Sequence, residues 1–175
     1  SVDAIITSPP YATALPYIDT DRLSLMAILG IPSNVRKSVE ERLTGSREIA
    51  KSEKNTFEKL LYSEDASTSL PKKLIDELKE IHQKNLLEGA GFRKLNMPSL
   101  LLRYFLDMKK NIENTQKVLR VDGKAFYVVG NSKTKVGENW FPIKTTEWLL
   151  EIGDMVGLQA SRYLDISVTT ENLRH

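Results

Sequence analysis

Apolar and polar positions divide this chain into short blocks of different period. Residues 2 to 7, Val-Asp-Ala-Ile-Ile-Thr, are an almost continuous apolar run, the pattern of a strand covered on both faces. Ser8-Pro9-Pro10 stops that run. Proline lacks the N–H a ladder needs and disfavours helix in the residue before it, so two in succession impose an extended, rigid turn at the strand's C-terminal end. Around residues 20 to 30, Leu23, Met26, Ala27 and Ile28 predict a helix closed by Gly30 and Pro32, and Ser33 is placed to cap a second from Asn34 to Leu43. Residues 44 to 69 are rich in Lys, Glu, Ser and Thr, which predicts a mobile, partly disordered surface segment with one helical stretch near Phe57 to Leu61.

Farther on, Pro71 suits the first position of a helix to about Leu87, with Leu74, Leu78 and Ile81 on one face and Gly89-Ala90-Gly91 as its break. The longest helix is predicted to follow Pro98, where Leu101, Phe105, Met108, Ile112 and Leu119 recur at helical spacing. Arg120-Val121-Asp122-Gly123 reads as a turn, Lys124 to Val129 as a second buried strand, and Gly130-Asn131-Ser132 as its end. A loop holding Trp140 and Pro142 follows, then a helix capped by Thr145 or Thr146 that runs to about Met155 with Gly157 at its end. Leu158 to Val168 alternates apolar and polar residues and predicts a last strand near a sheet edge. Strand, helices, strand, helix, strand is the order of an α/β fold, and 175 residues suit one domain.

Composition narrows the function classes. A net charge of +2 and an apolar share of 41% describe an ordinary globular protein. No apolar run has the length of a membrane span, and the N-terminus lacks the pattern of a secretory signal, so a soluble cytoplasmic protein with no membrane partner is expected. The opening apolar run, without an initiator Met, reads as a cut. With no cysteine and only His82 and His175 for nitrogen ligation, no metal site is expected.

Chemistry concentrates in Thr7-Ser8-Pro9-Pro10-Tyr11, at the strand end where open parallel sheets bind ligands. A rigid turn there presents fixed carbonyls beside an aromatic ring. If the oxygens of Ser8 and Pro9 hold an exocyclic amine by its protons, the nitrogen lone pair is aimed at an electrophile while Tyr11 stacks on the ring that bears the amine. Methyl transfer to an aromatic amine needs that arrangement. The alternative is a Pro-Pro turn with a core tyrosine.

At these residues the chain resembles the amino-methylating DNA methyltransferases, which use S-adenosylmethionine to modify the N4 amine of cytosine or the N6 amine of adenine. Their signature turn is Asp, Asn or Ser followed by Pro-Pro-Tyr or Pro-Pro-Phe, here Ser8-Pro9-Pro10-Tyr11. The serine form is more similar to the cytosine-N4 members. Residues 2 to 6 are similar to the strand before that turn, and residues 123 to 132 to the next strand of the same sheet, while about 35 to 95 matches nothing in the family and is expected to be a helical insertion. The resemblance implies a doubly wound, Rossmann-like methyltransferase sheet, a flipped DNA base, S-adenosylmethionine as cofactor, and direct displacement without a cysteine nucleophile. It also implies catalytic roles for Ser8, Pro9, Pro10 and Tyr11 and cofactor contacts from Thr7, Ser8 and Asn131.

The chain departs from the family by lacking the Phe-x-Gly-x-Gly cofactor turn, since Gly89-Ala90-Gly91-Phe92 follows a helix pattern. It therefore resembles a C-terminal half, expected to be inactive alone, to need an N-terminal cofactor-binding half or subunit, and to expose a sheet edge through which it dimerises. Tyr17, Arg22, Lys133 and Lys135 are candidate nucleic-acid contacts. Asp19 and Asp21 read as substrate contacts or a solvated helix start; Arg36, Lys37, Arg42 and Arg47 form a basic stretch diluted by Glu40, Glu41 and Glu48. Trp140 reads as a stacking residue or a half-buried anchor, and His82 receives no role. Two rivals stay open: an RNA or tRNA guanine-N2 methylase, which usually carries aspartate before Pro-Pro-Tyr, and a non-catalytic half that binds nucleic acid or docks on a cofactor-binding subunit.

Overall fold

The computed structural model describes residues 1–12, 24, 26–32, 35, 43–160 and 164–166. Strand β1 (Val2–Thr7) pairs in parallel with β2 (Leu119–Tyr127), placing Ile5 opposite Ala125, Ile6 opposite Phe126 and Thr7 opposite Tyr127. A parallel pair requires a long crossover. Here the crossover includes α1 (Lys51–Leu61), α2 (Glu64–Ser69), α3 (Lys72–Leu87) and α4 (Phe92–Val118). After β2 come an antiparallel hairpin, β3 (Ser132–Val136) with β4 (Asn139–Ile143), and α5 (Thr145–Met155). The architecture among the described residues is mixed α/β, with five helices, one parallel strand pair and one antiparallel pair.

The helices build the core. Leu74, Leu78 and Ile81 of α3 are buried together with Leu101, Phe105 and Met108 of α4 and Ile152 of α5. Burial of each such side chain stabilises by roughly 1.5–3 kcal/mol. Residues 44 to 69, expected to be mobile with one helical stretch near Phe57 to Leu61, include two helices, α1, which contains that stretch, and α2. Their few apolar residues are concentrated where they count: Leu61 and Ala66 are fully buried, as is Leu70 just after α2, with Phe57 and Leu60 packed against the core. A polar composition hid a narrow apolar stripe.

Three further corrections each trace to a particular contact or turn. Helix α4 begins at Phe92 rather than after Pro98, and the proline sits inside it. Pro98 has no N–H for the carbonyl of Lys94, but the buried Asn85 side chain donates its Nδ2–H to that oxygen at 2.9 Å, so the helix continues. The supposed loop around Trp140 and Pro142 is the β3–β4 hairpin, turned at Gly137 with φ +59°, the backbone that a two-residue primed turn demands. Neither Thr145 nor Thr146 caps α5; Lys144 precedes it, and the N–H of Thr146 bonds Asn131 Oδ1 at 3.0 Å.

The predicted end of α5 is as observed. Gly157 takes φ +85°, its N–H reaches Asp154 O, and the N–H of Leu158 reaches Gly153 O, which together make a Schellman closure. Gly30, at φ +61°, follows the helical Met26 and Ala27 as expected, whereas most of the second proposed helix lies outside the described residues. Residues 158–160 and 164–166 form no strand, and Leu164 and Ile166 are exposed. An alternating segment becomes a strand only beside a partner strand, and among the described residues none pairs with it.

Nor is the parallel pair covered on both faces. Ile5, Thr7, Ala125, Tyr127 and Val129 are half-buried, and Tyr127 hydrogen-bonds Asn111 and Thr115 of α4. The alternate residues Ile6, Phe126 and Val128 are 78%, 52% and 50% exposed. The Arg120–Gly123 turn is absorbed into β2 as a bulge, with Asp122 at φ +64°. Gly123 is required there, because a Cβ would lie 3.2 Å from Asp3 O and 2.9 Å from Arg120 O. Among the described residues no helix is long and apolar enough to cross a membrane.

Candidate functional site

Parallel strands end at the same edge of their sheet, so the pairing of β1 with β2 brings two distant segments together: Ser8 to Ala12 and Val128 to Ser132. Three contacts stitch them. The N–H of Val128 bonds Thr7 O at 2.9 Å, Ser8 Oγ donates to Val128 O at 3.3 Å, and Ser132 Oγ donates to Ala12 O at 3.3 Å. Between these ties Pro9 is buried, Pro10 and Tyr11 are half-buried, and Ala12 is fully buried. The Pro-Pro turn is thus held at both ends.

The Tyr11 ring lies over Gly130. A Cβ placed on Gly130 would stand 3.4 Å from Tyr11 Cδ2 and Cε2, so the bare glycine seats the ring closely against the backbone that leaves β2. Tyr11 keeps partial exposure. Asn131, placed beside the cofactor by the resemblance, spends Oδ1 on capping α5, which leaves Nδ2 as the group with which it would meet a ligand.

The hairpin carries the expected lysines. Lys133 and Lys135 are exposed on one face; Lys133 Nζ stands 4.7 Å from the centre of the Trp140 ring, and Lys135 lies 3.7 Å from Glu138. Tyr17 and Arg22 lie outside the described residues, as do Asp19, Asp21, Arg36, Lys37 and Arg42. Arg47 is exposed. The structure therefore brings together Thr7, Ser8, Pro9, Pro10, Tyr11, Asn131 and the start of the lysine-bearing strand. Gly89-Ala90-Gly91 separates α3 from α4 and makes no ligand turn after a strand.

One polar cluster was not anticipated. His82 is buried on α3, where its Nδ1 is 2.8 Å from Tyr62 Oη and its Nε2 is 3.5 Å from Glu58. These residues line an open depression of about 470 Å3 with Asn55 and Lys59. Burial raises the Tyr62 hydroxyl above its ordinary pKa, with Gln83 opposing the shift and Glu58 adding to it. The spacing of Glu58 on α1, Tyr62 just after it and His82 on α3 carried no motif by which to find them. Comparison of the chain with known protein families, with curated proteins and with solved structures finds no match.

Proposed function

We propose that this chain is the base-binding portion of an S-adenosylmethionine-dependent DNA amino-methyltransferase, acting on cytosine N4 in preference to adenine N6. The observation that carries the reading is the position of Ser8-Pro9-Pro10-Tyr11 at the C-terminal end of a parallel strand, with the Tyr11 ring seated on Gly130 beyond the neighbouring strand. On this reading the ring stacks on a flipped base while carbonyls of the Ser8–Pro9 turn accept the protons of its exocyclic amine. The amine lone pair then points outward from the sheet edge. S-adenosylmethionine, held beside Thr7, Ser8 and Asn131, would supply an electrophilic methyl group; Ser8, Pro9 and Tyr11 would hold the accepting amine in place, its surplus proton passing to water. The contribution of the chain is alignment and desolvation of the amine.

Thr7, Ser8 and Asn131 furnish one wall of a cofactor pocket, and the described residues include no glycine-rich turn after a strand to furnish the other. We assign that wall to a cofactor-binding unit that completes a Rossmann-like sheet. The exposed Ile6, Phe126 and Val128 support this, because parallel strands are normally covered on both faces. The same face favours the second reading, a docking half without catalysis, while the two-stranded sheet, unpaired on its outer sides among the described residues, offers an edge for dimerisation. Replacing Tyr11 by Ala in the chain joined to its cofactor-binding unit separates the two. Turnover falling by about tenfold or more, with little change in stability, fits loss of a stacking surface worth roughly 1–3 kcal/mol; unchanged turnover removes the base clamp.

A further inference from the structure

The hairpin register sorts its side chains into two sets. Thr134 and Phe141 pair across the strands and are half-buried, while Val136 and Ile143 enter the core. The alternate pairs, Lys133 with Pro142 and Lys135 with Trp140, face outward. Trp140 is 60% exposed although the chain's other tryptophan, Trp148, is 3% exposed, and a one-residue slip of register would be needed to turn it inward. The indole stands mostly in water, with the Lys133 ammonium over its ring and Lys135 as its cross-strand partner.

We infer that this outward face is a platform for one unpaired nucleotide of single-stranded or locally opened DNA, its base stacked on Trp140 and its phosphates on Lys133 and Lys135. A nucleotide joins a π-face to an anion over a few ångströms, which matches an indole flanked by lysines. Lys133 Nζ lies over the ring at 4.7 Å, a cation–π contact that a stacking base would displace, freeing the ammonium on its flexible stem for the phosphate of that nucleotide. Lys135 meets Glu138, whose side chain is 97% exposed, at 3.7 Å, a solvated pair that yields readily to a phosphate. Ser132, the first residue of β3, is tied to Ala12, so the platform starts beside the Pro-Pro-Tyr turn. The stacked nucleotide is therefore a neighbour of the one entering that turn; this placement rests on the proposed function, whereas the binding itself does not.

The test uses this chain, a short oligodeoxythymidine, inorganic polyphosphate as an anion without bases, and phosphatidylserine vesicles. Oligodeoxythymidine is expected to quench the exposed indole and to bind about tenfold more weakly to Trp140→Ala, with Trp140→Phe close to the parent. Polyphosphate is expected to bind Trp140→Ala and the parent alike. Emission of the buried Trp148 reports that each variant is folded. Equal oligodeoxythymidine affinity for the parent and Trp140→Ala overturns the platform, as does tighter binding to vesicles than to the oligonucleotide. Methyl transfer is not read in these titrations, so failure of the methyltransferase reading and failure of the platform are separately visible.

Discussion

The ring of Tyr11 occupies the space above Gly130, with Cδ2 and Cε2 each 3.4 Å from where a Cβ on that glycine would be. Residue 130 thereby sets the height at which the ring stands over the sheet edge. Alanine there makes an ordinary contact, while valine drives its methyl groups into the ring. If the proposed function holds, Gly130→Ala in the chain joined to its cofactor-binding unit is expected to keep most methyl transfer, and Gly130→Val to lose on the order of a hundredfold, the scale of a misplacement of about 1 Å. Parallel turnover and urea titrations check this; Gly130→Val with parent turnover would show that the ring's position is immaterial.

Asn85 substitutes for the donor that Pro98 lacks. Its side chain is buried, so Asn85→Ala strands the Lys94 carbonyl and is expected to destabilise by about 1–3 kcal/mol. Pro98→Ala restores a backbone N–H to that carbonyl. In the Asn85→Ala, Pro98→Ala pair the loss should therefore be smaller than the two single losses combined, as a double-mutant cycle of urea midpoints reads directly. Additive losses would mean that the carbonyl finds another donor.

Asp107 gives the fold a pH dependence of known sign. Burial raises its carboxyl above 3.8, outweighing the hydrogen bond from Thr44 Oγ1 and the nearby Arg103 that lower it. Between the unfolded and the raised folded value the native state holds the extra proton, so stability falls as pH rises through that window and levels off above the folded value. Glu77, raised first by burial and partly restored by Lys144, acts in the same direction. Asp107→Asn is expected to gain on the parent as pH rises through that window and to hold a constant lead above it. Urea midpoints of Asp107→Asn and the parent that stay parallel from acid to neutral pH would exclude the effect.

Lys133 and Lys135 are the expected phosphate ligands. Their joint replacement by Gln should weaken binding of single-stranded DNA and flatten the dependence of log affinity on log salt by about 1.4, from about 0.7 for each phosphate that is no longer neutralised. An unchanged slope would remove both lysines from the interface.

Several of these features were legible in the sequence because their causes are local. Val2–Thr7 ends at two prolines, α3 starts beside Pro71 and buries Leu74, Leu78 and Ile81, and Gly157 closes α5. The start of α4 was not legible, since the donor that lets a helix pass Pro98 comes from Asn85 on another helix. Asn131 likewise caps α5 from 15 residues away, which left Thr145 and Thr146 as the apparent caps. The hairpin left a trace in Gly137, a turn residue between two segments of alternating burial. In the site, the rigid turn could be read from Ser8-Pro9-Pro10-Tyr11, whereas the seat for its ring on Gly130 depends on strand pairing across more than a hundred residues.

The central claim is methyl transfer to an exocyclic amine, and labelled S-adenosylmethionine tests it most directly. The chain alone and the full reading frame that encodes it are incubated with mixed-sequence DNA, and the nucleosides of the product are separated. Label recovered as N4-methylcytosine with the longer form, and negligible label with the chain alone, is the expected result. Label on adenine or RNA would move the substrate and keep the chemistry; no transfer from either form would contradict it and leave the non-catalytic docking half as the reading.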